Sequence, residues 1–87
     1  MYYLYDVTNQ LDLKSIGIFD TSIETRIYLR YYLNTMFKKH EDERSTPNCL
    51  KLAICIFRFD FETKKPFCDI YDFNKDNYEM YLRNIVF

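Results

Sequence analysis

One glycine, Gly17, serves the whole chain of 87 residues, and tryptophan is absent. Phosphate-cradling loops and dinucleotide fingerprints need several glycines at fixed spacing, so nucleotide chemistry through those motifs is excluded. Histidine is nearly missing as well. His40 is the one imidazole in the chain, so a Cys–His or Ser–His nucleophile pair would have to use it. It follows Lys38 and Lys39 at the end of a helical pattern, where cations complement the dipole in solvent. Long apolar runs are lacking too: the segment 52–57 falls far short of the roughly 20 residues that cross a bilayer. Residues 1–6 carry neither a basic stretch nor a small-residue cleavage site, so no secretory leader and no membrane partner are expected.

Charge of one sign is missing. Twelve Lys and Arg face thirteen Asp and Glu, a net charge of −1 that divides evenly: six basic and seven acidic residues over 1–44, then six and six over 45–87. Nucleic-acid affinity is driven largely by phosphate neutralisation, so nucleic acid ranks below protein as a partner. The three cysteines, Cys49, Cys55 and Cys68, are odd in number and lack the close-spaced pair of a zinc knuckle. Buried structural thiols in a reducing cytoplasm are the expectation, with no metal and no cofactor.

What is abundant is aromatic surface: nine Tyr and eight Phe within a chain that is 48% hydrophobic. Such a composition excludes intrinsic disorder. A chain of this size buries about 65% of its unfolded surface, enough for one small core. One domain over 1–87 is expected.

Hydrophobic periodicity predicts the elements. Residues 2–7 and 15–19 read as strands. Thr21, followed at three residues by Glu24, has the capping-box spacing, with Asp20 as the alternative cap, and opens a helix over about 22–39 with Ile23, Ile27, Leu29, Leu33, Met36 and Phe37 as its apolar positions. Residues 41–48 are a polar loop. The segment 49–62 is the strongest strand, with Leu50, Leu52, Ile54 and Ile56 on one face and Ala53, Cys55 and Phe57 on the other. Two apolar faces mark a strand covered on both sides, so the second face needs a helix or another chain. Residues 63–66 read as a hairpin turn, 67–73 as the returning strand, and 77–85 as a short helix. The expected fold is α+β in ββαββα order: an antiparallel four-stranded sheet packed against one long and one short helix.

Candidate chemistry is sparse. Asp60, Glu62 and Lys64 have the Glu-x-Lys spacing with which metal-dependent nucleases hold a divalent ion and position water; alternating charges are equally what the wet side of a strand carries. Arg26, Arg30, Lys38 and Lys39, interleaved with Tyr28, Tyr31 and Tyr32, are the nucleic-acid candidates, able to contact phosphates and stack bases. Tyrosine brings large rigid area with a polar end, which favours protein interfaces. The acidic residues Asp60, Glu62, Asp69, Asp72, Asp76 and Glu79, with Tyr71 and Tyr78, would form a patch suited to a basic protein surface if hairpin and last helix adjoin.

The composition, rich in Tyr, Phe, Asn, Lys and Ile and poor in Gly and Ala, resembles small proteins of AT-rich genomes. In size and acidity the chain is similar in outline to phage-encoded inhibitors of host proteins, anti-CRISPR proteins among them. That likeness implies a non-enzymatic inhibitor in the host cytoplasm, occluding or bridging a protein surface. The residues themselves point to a protein-interaction module, with a homodimer as one form. Nucleic-acid binding and a small metal-dependent nuclease are the alternatives.

Overall fold

The computed structural model describes residues 1–42 and 51–86. The elements run β1 (Tyr2–Asp6), β2 (Lys14–Phe19), α1 (Ser22–Asp42), β3 (Lys51–Asp60), β4 (Lys65–Asn74) and α2 (Tyr78–Asn84). The four strands form one antiparallel sheet in the order β2-β1-β3-β4. This is the expected α+β layout.

Register assigns the two faces, because side chains alternate along each strand. Leu4 stands opposite Ile56, Leu52 opposite Phe73, and Ile54 opposite Tyr71. On this face Leu4, Ile54 and Phe73 are fully buried, and Leu29, Leu33 and Phe37 of α1 with Leu82 and Ile85 of α2 complete the core. Both helices therefore lie on one face. Gly17 sits opposite Leu4 because the Phe19 ring folds over it: a Cβ there would meet that ring at 2.9 Å.

Helix α1 starts where the capping spacing predicts, with the Glu24 amide donating to Thr21 Oγ1 at 3.2 Å. Its buried stripe differs from the one expected. Ile23 and Ile27 are 70% and 64% exposed, and the core line runs through Thr25, Leu29, Leu33 and Phe37. A threonine can lead that line because its hydroxyl donates to the Thr21 carbonyl at 2.8 Å, which leaves no unpaired polar group inside.

The β3–β4 turn also moves. It spans residues 61–64 rather than 63–66. Lys64 takes the left-handed conformation (φ 54°) that closes the turn, and Pro66 lies inside β4 opposite Phe59. A proline is tolerated there because β4 is an edge strand and Pro66 stands near its start.

Candidate interaction surface

The second face of the sheet is apolar and bare. Register brings Ile18, Tyr3, Phe57 and Cys68 into one row across all four strands, and Ser15, Tyr5, Cys55 and Ile70 into the next. Of these residues only Cys55 is buried, and none joins the cluster that the helices cover. Among the described residues no helix covers them; Ile18 is 58% and Ile70 63% exposed. Tyr3 and Phe57 meet edge to face at 5.8 Å, as aromatic quadrupoles prefer. Phe59 and Phe61 extend the patch toward the hairpin tip, with ring centres 5.1 Å apart. The charged residues that register places on this face, Lys51 and Asp72, are of opposite sign and stand at its far end.

At the hairpin tip an open groove of about 460 Å³ is lined by Met1, Tyr2, Arg58, Phe59, Phe61, Glu62 and Phe67. The Arg58 guanidinium lies 5.0 Å from the centre of the Phe67 ring, within cation–π range.

The acidic candidates do not gather in one patch. Glu62 lies in the turn at the hairpin tip, Asp69 on the helix-bearing face and Asp72 on the bare face. Asp76 follows β4 at the opposite end, roughly 30 Å away at ~3.3 Å per strand residue. The side chain of Asp60 lies outside the described residues, as do that of His40 and the whole of Cys49. Tyr71 is half-buried beside the core and lines a shallow groove with Tyr81, Asn84, Ile85 and Val86. Tyr78 packs on Phe37 at 4.8 Å and bonds to Asn34 through its hydroxyl. Glu79 pairs with Arg30 at 3.9 Å, joining a protein-binding candidate to a nucleic-acid candidate.

Of the basic candidates, Lys38 and Lys39 are exposed. Arg26 is turned inward: its guanidinium donates to the carbonyls of Leu82 (3.1 Å), Arg83 (3.3 Å) and Ile85 (2.6 Å) at the C-terminus of α2. These carbonyls sit at the negative end of α2, where the Leu82 carbonyl also accepts from the Ile85 amide at 3.3 Å, so Arg26 serves as a cap. Among the described residues no cluster of three or more His, Cys, Asp or Glu could hold a metal, and no helix is long and apolar enough to cross a membrane.

The most deeply buried charged group among the described residues is Asp6, 6% exposed at the end of β1. It accepts from the Thr8 hydroxyl (2.5 Å), the Thr8 amide (3.0 Å) and the Tyr32 hydroxyl of α1 (2.5 Å). Thr8 Oγ1 in turn accepts from the Ala53 amide at 3.0 Å. Burial pulls the Asp6 carboxyl up, but the bonds from Thr8 and Tyr32 and the charge of Lys14 outweigh it and hold the group below the ordinary aspartate value. Burial and the neighbouring carboxylate push the Tyr32 hydroxyl well above the ordinary tyrosine value.

Stability should therefore fall at both ends of the pH scale. Below about pH 4 the unfolded chain takes up a proton that folded Asp6 resists, and above about pH 10 it gives up one that folded Tyr32 keeps. Tyr32→Phe should cost about 1–2 kcal/mol at neutral pH, since it removes a bond to a charged acceptor. It should also flatten both limbs of a urea-denaturation pH profile. A profile that merely shifts down, with both slopes intact, would refute the pairing.

Compared with family models, curated proteins and solved structures, the chain matches none of them.

Proposed function

We propose that this chain is a non-enzymatic protein-interaction module that works by occluding or bridging a protein surface, and that its contact surface is the bare sheet face, covered in solution by a second copy of the chain. The observation that carries the reading is the pair of largely apolar rows across four strands, Ile18–Tyr3–Phe57–Cys68 and Ser15–Tyr5–Cys55–Ile70, which no helix covers among the described residues. The largest apolar patch on a protein surface is often a functional contact.

A second copy fits for two reasons. The centre of the face carries no charge, so apposing it with itself brings no like charges together, as a two-fold interface requires. Four strands at ~4.8 Å spacing over six residues at ~3.3 Å rise cover roughly 20 × 20 Å. Two such faces bury about 800 Å² of plane and more of side-chain surface, which reaches the lower range of specific interfaces. Sheets stacked ~10 Å apart are a standard way to close such a face.

Light scattering should give twice 10.8 kDa at concentrations of about 100 μM, in the range of modest interfaces. Ile70→Asp should return the monomer, because it places a charge within one of the two apolar rows that the second copy would cover. Ile27→Asp is the matched control on α1, equally exposed but on the other layer, and should leave the dimer intact. A wild-type monomer, or a dimer lost with Ile27→Asp and kept with Ile70→Asp, would overturn the assignment.

A further inference from the structure

The bare face holds two thiols in contact. Cys55 lies in β3 and Cys68 in β4, and their sulfurs are 2.9 Å apart. Register makes them diagonal neighbours on one face: Cys55 stands opposite Ile70 and Cys68 opposite Phe57. Cys55 is buried and Cys68 exposed, so one sulfur is open to a reagent and the other waits behind it. From the side chains alone, a disulfide of about 2.05 Å would require the sulfurs to close by roughly 0.9 Å. Diagonal neighbours have Cα atoms about 7–8 Å apart, just beyond the usual span of a disulfide, so the backbone must also give a little. It is free to do so at this point, because β4 is the sheet edge and is paired to β3 alone.

We propose that Cys55 and Cys68 form a two-electron redox site that a small-molecule disulfide of the glutathione class oxidises to an intrachain cross-strand disulfide. The Cys68 thiolate attacks one sulfur of the reagent, forming a mixed disulfide and expelling one glutathione thiolate. Cys55 then loses its proton to that thiolate and attacks the Cys68 sulfur, and the second glutathione leaves as the thiolate and takes up the proton lost by Cys68. Two protein thiols and one glutathione disulfide become one protein disulfide and two glutathione thiols, which balances atoms and electrons. Attack is set by thiolate character and access. Burial, with the neighbouring Cys68 and Asp69, pushes the Cys55 thiol up to about 12, which agrees with the exposed Cys68 reacting first.

The site does not depend on the interface reading, although it lies on the same face. The full chain is brought to equilibrium in buffer with equal reduced and oxidised glutathione, once from the reduced and once from the oxidised side, so that slow access to a covered face does not fix the end point. The quenched protein is then weighed and digested. The expected result is a main species lighter by two hydrogens, in which tryptic peptides 52–58 and 65–75 are joined. Cys49→Ser should behave alike, and Cys55→Ser should stop with glutathione on Cys68. Ile70→Asp, taken through the same steps, should still form the link whether or not it dimerises.

Three outcomes would overturn the proposal: all thiols staying reduced, glutathione persisting on wild-type Cys68, or a link that runs through Cys49.

Discussion

Phe73→Ala should cost about 3–5 kcal/mol, the usual range for emptying a fully buried aromatic site. Phe73 is the largest side chain wholly out of water among the described residues. It sits on the edge strand opposite Leu52, and its ring meets Tyr81 of α2 edge to face at 5.8 Å. Helix α2 has seven residues, too few to persist by its own hydrogen bonds. What holds it is the apolar surface that Phe73, Leu82 and Ile85 share. The loss is large against a total stability of roughly 4–13 kcal/mol for a chain of this length. Urea denaturation should show the midpoint falling steeply. Phe73→Leu should cost under about 2 kcal/mol, because most of the volume is kept. A loss below about 1 kcal/mol for the alanine variant would mean that β4 and α2 are not part of the cooperative core.

The architecture was readable because each element carries its own period. The segments 49–62 and 67–73 read as strands, the first alternating in its second half, and they overlap the observed β3 and β4; Thr21 with Glu24 marks the start of α1 at the position where the amide of Glu24 is capped. The double apolar character of residues 52–57 was also readable, as was its implication that something must cover the second face. Which face the helices choose could not be read, because both sides of β3 are apolar and only the long-range placement of α1 and α2 decides. The same ambiguity misplaced Ile23 and Ile27. Their spacing fits a helix face as well as Leu29 and Leu33 do, and burial went to the line that runs through a self-satisfied Thr25.

The cysteine pair was hidden by a turn placed two residues too late. A turn at 63–66 would pair residue 55 with residue 74 and leave Cys55 far from Cys68. The observed turn at 61–64 pairs Cys55 with Ile70, which puts Cys68 on the adjoining diagonal. Two local signals misled in the same direction. Proline is a strong turn former, yet Pro66 is admitted to an edge strand; and a left-handed residue is expected to be glycine or asparagine, yet Lys64 fills that place. The scattered acidic candidates have a related cause. Charges at both ends of a ten-residue strand look close in sequence once the strand returns, but they stand on different faces and at opposite ends.

Arg26 and Arg30 have the same chemistry and neighbouring positions on α1, and the structure gives them different duties, so their alanine variants should part company. Arg26→Ala should cost about 2–3 kcal/mol, because three C-terminal carbonyls of α2 lose a charged donor. Arg26→Lys should recover part of that only, since an ammonium cannot spread over three acceptors as the planar guanidinium does. Arg30→Ala removes an exposed pair, 58% and 49% accessible at 3.9 Å from Glu79, and should change stability by under about 1 kcal/mol. Hydrogen exchange gives the sharper reading: with Arg26→Ala the amides of α2 should exchange faster while those of β1 and β3 keep their relative protection. A nucleic-acid surface on α1 would instead use both arginines as phosphate contacts and make neither a stability residue. Equal, small stability losses for the two variants would therefore return Arg26 to solvent and reopen that face, whereas a loss confined to Arg26 leaves α1 with Arg30, Lys38 and Lys39 as its outward cations among those four candidates.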